Sequence, residues 1–160
     1  MYLPKIIRHR KGFTLIEILV VIGILSILLS IVLIAINPAR QFAQANNAQR
    51  RSDVNAILNS IHQFAADNNG TPPSGIIDSP LIVASSGAGT VNLCTDLVPT
   101  YIADMPIDPT EGIESPADSI CNDPSATYNT AYTVEKSLNN NRITVSALQA
   151  ELLETITVTR

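Results

Sequence analysis

From Phe13 to Ile36 the chain runs through 24 residues of Phe, Leu, Ile, Val, Gly, Ser, Thr and Ala, interrupted by one charge, Glu17. As a helix this run reaches about 36 Å, enough to cross the hydrocarbon core of a bilayer. It is rich in β-branched residues, which would suit a strand in water. In lipid an isolated strand leaves its backbone groups unpaired, so the helix wins. A carboxylate inside such a run costs about 3 kcal/mol by insertion scales. The sequence around Glu17 therefore has to supply something that compensates it.

Charge is divided sharply along the 160 residues, a length that suits one domain plus appendages. Lys5, Arg8, Arg10 and Lys11 precede the apolar run with no acid among them. After Gly12, six Lys and Arg stand against all 14 Asp and Glu, a net charge of −8. Positive charge on the N-terminal side places that side in the cytoplasm and the remainder across the membrane. The acidic body excludes a nucleic-acid interface, since a phosphate backbone rewards clustered cations and Arg50-Arg51 is too small a cluster. No Cys–His pair, phosphate-binding glycine loop or nucleophile motif appears, so the reading is non-enzymatic and without cofactor. His62 is the only histidine after Gly12, which gives neither a zinc site nor a triad.

Three readings of the apolar run compete. A secretory signal has a shorter core and a small-residue cleavage site after it, and Asn37-Pro38-Ala39-Arg40 is a poor match. A plain single-pass anchor leaves Glu17 unexplained. The third cuts before the run, after Gly12, and keeps the helix. Here Gly12-Phe13-Thr14-Leu15-Ile16-Glu17, behind a short basic leader, resembles the signal of type IV prepilins, shared by type IV pilins and the pseudopilins of type II secretion. The resemblance implies that a membrane prepilin peptidase cuts between Gly12 and Phe13 and methylates the new Phe13 amine. It implies a homopolymer raised from an inner-membrane assembly platform, with Glu17 paired to the Phe13 amine of a neighbour. Because two buried charges also lose hydration, that pair sets subunit register rather than adding net stability.

On this plan residues 1–12 are a leader, 13–36 a membrane and filament-core helix, 37–70 an amphipathic helix and 71–160 a β-rich head. The first function is a structural pilus subunit and the second a pseudopilin of a secretion or DNA-uptake system. A membrane-anchored extracytoplasmic binding domain is third. The expected location is a single pass of the inner or cytoplasmic membrane, then an extracellular pilus or periplasmic pseudopilus. Gly23, Ser26 and Ser30 are small residues that let helices approach closely, or are ordinary membrane-helix composition. Pro38 removes a backbone hydrogen bond and predicts a kink.

Beyond Pro38, Phe42, Ala45, Val54, Ile57, Leu58, Ile61, Phe64 and Ala65 fall mainly at helical spacing, with Arg50, Arg51, Asp53, Asn55, Asn59 and Gln63 on the polar faces. Gly70 and Thr71-Pro72-Pro73 stop the helix. A helix from Phe13 to Asn69 would be about 85 Å long. Strands are expected at Leu81 to Ala84, Ala88 to Leu93, Tyr128 to Glu135, Arg142 to Ala147 and Thr155 to Thr159, with a turn at Asn139-Asn140-Asn141. Leu148 to Leu153 reads as a short helical turn. An antiparallel sheet packed on the second half of the helix makes the fold α+β. Tyr101, Tyr128 and Tyr132 read as head-core residues.

Cys94 and Cys121 form a disulfide if the head is extracytoplasmic, two free buried thiols being the alternative. The section from Leu97-Val98-Pro99-Thr100-Tyr101-Ile102 to Met105-Pro106-Ile107-Asp108-Pro109 resembles one in major pseudopilins and some pilins. In pseudopilins an aromatic residue often follows and nearby acids hold calcium, whereas Thr110-Glu111-Gly112 follows here. Asp104, Asp108 and Glu111, with Glu114, Asp118 and Asp123, are suitably hard ligands. Their spacing is not that of an EF-hand loop, and a solvated acidic loop tied by the cysteines is the simpler account.

Overall fold

The structure is a computed structural model that describes residues 12–115, 121, 123 and 125–160. The leader cations Lys5, Arg8, Arg10 and Lys11, and Asp118 of the acidic loop, lie outside the described residues. The chain divides into two compact units, Met1–Gln41 and Phe42–Arg160.

In the first unit, helix α1 spans Leu15–Ile36 and is long and apolar enough to cross a membrane. None of its residues is buried within the protein, so its apolar surface is left for lipid or for other chains. The helical run then breaks where one continuous helix was expected. Asn37 takes the left-handed conformation (φ 48°), which ends α1, and helix α2, Pro38–Asp67, starts anew. Asparagine tolerates that conformation, and its Oδ1 accepts the Arg40 N–H at 3.4 Å as an N-cap. Pro38 then occupies the first helical position, where its missing N–H costs nothing.

The head is α+β. Its sheet runs β2 (Thr90–Val91), β1 (Leu81–Ala84), β4 (Thr127–Lys136), β5 (Ile143–Ala147), β6 (Ile156–Thr159), and β3 (Ile113–Ser115) also pairs with β4. All pairings are antiparallel except β1 with β2, which is parallel. Of the expected Ala88 to Leu93 strand only Thr90–Val91 forms, while β3 carries no alternation that would reveal it. A four-residue helix α3, Cys94–Leu97, precedes the Leu97–Ile102 segment.

Strand β4 carries a bulge. Ile82 faces Thr133 and Ala84 faces Asn129, so one residue of β1 stands opposite three of β4. Ala131 turns left-handed there (φ 61°), and the buried Thr130 hydroxyl repairs the ladder by donating to the Val83 carbonyl at 2.9 Å. Below the bulge β4 pairs with β3, and above it with β5. On the edge away from β1, β4 thus serves two partners, one on each side of the bulge.

The buried face of α2 supplies Val54, Ile57, Leu58 and Ile61, all with no exposed surface. They meet Val83, Leu93, Leu97, Tyr132, Val134 and Val145 across the core. Tyr128 and Tyr132 are buried, whereas Tyr101 packs edge-on against Phe64 (ring centroids 5.7 Å) at the margin.

The expected helical turn at Leu148 to Leu153 is not formed. Glu151 to Glu154 instead close a two-residue turn, with the Glu154 N–H donating to the Glu151 carbonyl at 3.2 Å. Leu152 and Leu153 both sit at φ 59°. That is the type I′ arrangement, which favours Asn-Gly and charges a leucine about 1–2 kcal/mol per residue. A helical turn was ruled out because both glutamates are drawn onto α2.

Candidate functional site

The junction residues come first in the chain. Gly12 and Phe13 precede α1 in non-helical conformation, and both are exposed. Thr14 is the N-cap, with φ −80° and ψ 153°. Its N–H and its hydroxyl both donate to Glu17 Oε2, at 2.7 and 2.8 Å, and the Glu17 N–H donates to Thr14 Oγ1 at 3.3 Å. This is a capping box, which satisfies two helix-end donors reciprocally. Glu17 thus reaches back over one turn towards the N-terminal end and fixes where the helix begins. The Gly12–Phe13 bond is left outside the helix. The signal Thr-x-x-Glu was present in the sequence, and the explanation of Glu17 through a future amine passed over it.

A second constellation lies inside the head. Arg50 was assigned to a polar face, yet it has no exposed surface. Ala43, Asn47, Arg50, Val54, Ile57 and Ile61 form one stripe at three- and four-residue spacing, and all are buried. The stripe is polar in its first half because its partners there are polar. Arg50 Nε donates to Asp108 Oδ2 at 2.7 Å and Nη2 to Asp108 Oδ1 at 3.1 Å. Nη2 also reaches Thr110 Oγ1 (2.7 Å), and Nη1 reaches Asn47 Oδ1 (3.1 Å) and Glu151 Oε2 (2.8 Å). All five guanidinium N–H groups are engaged, which is the condition for burying such a charge.

The acceptors are equally occupied. Asp108 Oδ1 takes the N–H groups of Thr110 (2.9 Å) and Glu111 (3.1 Å) and the Thr110 hydroxyl (2.9 Å). Asn47 pairs with the Glu151 main chain in both senses, donating to its carbonyl at 2.8 Å and accepting its N–H at 2.9 Å. Close beside them, the buried Tyr132 hydroxyl donates to Asp53 Oδ2 at 2.7 Å. The Asp108 N–H in turn donates to the Thr130 carbonyl at 3.0 Å, so the network locks α2 to the bulge of β4. Gly112 closes the turn, since a Cβ there would lie 2.1 Å from Ile107 and 2.7 Å from the Asp108 carbonyl oxygen.

Burial pushes the Asp108 carboxyl up, but the Arg50 guanidinium and the Thr110 and Glu111 amides overcome it and hold it at about 2. A carboxyl lowered from its ordinary 3.8 contributes stability that is complete above that value and lost as pH falls towards 2. Asp53, raised mainly by burial, works in the opposite sense and offsets part of this. The expected result is a urea midpoint for the head that is flat from neutral pH to about pH 5 and falls between about pH 4 and 2. Asp108→Asn flattens that limb relative to the parent. An unchanged acid limb in Asp108→Asn refutes the assignment.

Residues 7–33 match the family model of the prokaryotic N-terminal methylation motif. The chain carries a class III prepilin signal. Such a signal supports a type IV pilin-like or pseudopilin precursor. The motif implies processing by a prepilin peptidase and polymerisation of the subunits, and with α1 it implies membrane anchoring before assembly. No curated protein and no solved structure matches the chain. The match covers the junction and most of α1, and the head is read on its own geometry.

In the head of this precursor, Cys94 and Cys121 are bonded, their Cα atoms 5.1 Å apart, an ordinary separation for a disulfide. Beside them lies a polar cavity of about 310 Å³. At its wall the exposed Asn92 accepts, through Oδ1, both the buried Tyr128 hydroxyl (2.9 Å) and the Cys94 N–H (3.0 Å). Of the acids considered for calcium, Asp108 is taken up by Arg50 and its own turn, and Asp104 Oδ1 accepts the Met105 N–H at 2.8 Å. Among the described residues no group of three His, Cys, Asp or Glu comes together to hold a metal. Asn47, Arg50, Thr110 and Glu151 were missed as a group. Their signal was that Asn47 and Arg50 extend the Val54-Ile57-Ile61 stripe backwards at the same spacing.

Proposed function

We propose that the protein is a structural subunit of a type IV pilus-like filament. Its leader, residues 1–12, is removed after Gly12 on the cytoplasmic side, the Phe13 amine is methylated, and the mature chain polymerises through α1. The observation that carries this reading is the position of Glu17. It is the only charge in α1, one turn from the junction, and its carboxylate already accepts main-chain and hydroxyl donors at the helix start. Cleavage adds a new donor in that neighbourhood, the Phe13 ammonium. In a filament a neighbour's ammonium takes the place of the Thr14 donors, and the cost of an unpaired carboxylate in an apolar bundle sets the register of one subunit on the next. The head, bearing the Cys94–Cys121 bond, sits outside the cytoplasm, in line with the cation-rich leader.

A pseudopilin shares all of this chemistry, and the Leu97–Tyr101 segment that leads out of α3 favours that reading. The two separate on where the polymer stands. Electron microscopy of cells with and without the protein, with mass spectrometry of the isolated polymer, gives the test. The expected result is long external fibres made mainly of a chain that begins at methylated Phe13. Fibres confined to the periplasm select the pseudopilin, and a chain that keeps residues 1–12 refutes the processing step.

A further inference from the structure

Among the exposed apolar residues described in the head, beside Phe42 and Ile113, two groups lie at opposite ends of its sheet. At one end is the turn between β5 and β6, where Leu152 is 44% exposed, Leu153 fully so, and Leu148 is exposed beside them. At the other end are Leu138, in the turn between β4 and β5, and Ile77, whose carbonyl accepts the Lys136 N–H at 2.7 Å. Strand β5 separates the two ends by about 17 Å. Helix α2 runs the same way. Asn46, Asn47, Arg50 and Arg51 bond to Glu151 and Glu154 at the first end, and Asn59 accepts from Arg160, beside Ile143, at the second.

The leucine tip is built against local preference. Two left-handed leucines stand where Asn-Gly fits without strain, and each flanking glutamate is fastened to an arginine of α2. Strain maintained by the surroundings on an exposed apolar tip points to a contact. Charge limits what that contact is. A body of net charge −8 repels a copy of itself, but at this tip Glu151 and Glu154 are already paired with Arg50 and Arg51. Two copies can approach there without bringing bare carboxylates together. A protrusion at one end and an apolar patch at the other also form a heterologous pair, which builds an open polymer rather than a closed dimer.

We infer that the Leu152-Leu153 tip of one head packs against Ile77 and Leu138 of a second copy of this chain, stacking heads along the direction of α2. The inference rests on the filament reading above and adds to it a contact outside α1.

The test uses the full chain in cells that process and assemble it. Leu152→Asn with Leu153→Gly keeps both glutamates and suits the turn, so the melting temperature is expected at or above that of the parent while filament yield falls about tenfold or more. Ile77→Ser with Leu138→Ser, at the far end, is expected to give the same loss. A photo-crosslinking residue at position 153 of assembled filaments is expected to join the peptides that carry Ile77 or Leu138. Unchanged yield in both double variants, or crosslinks only to other parts of the chain, overturns the inference. A loss that comes with a lower melting temperature in the Asn-Gly variant also counts against it, because the turn then serves the head's own stability. A parent chain that builds no filament at all refutes the filament reading itself, which tells the two failures apart.

Discussion

Replacing Glu17 by valine is expected to leave a chain that inserts into the membrane and loses its leader, yet builds essentially no filament. Valine removes the one costly group from α1, so insertion is easier, not harder. Two things are lost together. The first is the capping box at Thr14, worth about 1 kcal/mol of helix-end stability. The second is the proposed partner for a neighbour's Phe13 ammonium, which then stands unpaired in an apolar bundle, a penalty of about 3–5 kcal/mol for breaking one side of a buried pair. Glu17→Gln separates the two. Glutamine retains an oxygen that accepts the Thr14 N–H but carries no charge. If the pair sets register, both variants fail to assemble and both are cleaved. Filaments of ordinary number and length from Glu17→Gln would show that the cap alone matters, and the pairing would be wrong. Counting filaments by microscopy, with leader removal followed by mass, decides between these outcomes.

The other large effect lies in the head. Asp108→Ala leaves the Arg50 guanidinium buried with its bidentate partner gone, and it frees the Thr110 and Glu111 amides. The expected cost is about 3–5 kcal/mol of folding stability, a large share of the roughly 5–15 kcal/mol available to a domain. Arg50→Met costs a comparable amount for the opposite reason, since it strands the carboxylate. The double variant, Arg50→Met with Asp108→Ala, is expected to lose clearly less than the two single losses combined, because neither partner then remains unpaired. Urea unfolding of the four chains measures this. Single variants within about 0.5 kcal/mol of the parent would place the pair among surface ion pairs, contrary to its burial.

The division between what was readable and what was not follows the range of the interactions. Local patterns came through, with β1, β4, β5 and β6 found within a residue or so of their expected bounds, because β5 and β6 alternate apolar and polar and β1 and β4 are runs rich in β-branched and aromatic residues. Helix α2 ends at Asp67, ahead of Gly70 and Pro72-Pro73, as those residues predict. Strand β3 was missed because it has three residues and an exposed isoleucine, and nothing but its pairing with β4 makes it a strand. The break at Asn37 was half legible. Pro38 gave warning, but the left-handed asparagine that ends one helix and caps the next is a backbone choice that composition does not announce.

Arg50 and Leu152-Leu153 are the instructive misses. An arginine among Gln, Arg, Ser and Asp reads as solvated, and only the arrival of Asp108 and Glu151, 58 and 101 residues away along the chain, compensates its burial. Leu148 to Leu153 reads as helical because leucine, glutamine, alanine and glutamate favour helix. The arginines beneath Glu151 and Glu154 hold the turn in a conformation those residues do not choose by themselves.

The sequence by itself determined residues 1–36: an apolar helix long enough for a bilayer, its single acid, and the glycine and basic leader before it. Lipid imposes a local rule, that every backbone group be satisfied within the segment, and a local rule can be read from a local pattern. The tertiary structure alone decided the head's polar core and its two apolar ends. Whether a charge is buried, or a leucine exposed, depends on groups brought from far along the chain, and no stretch of sequence holds both partners.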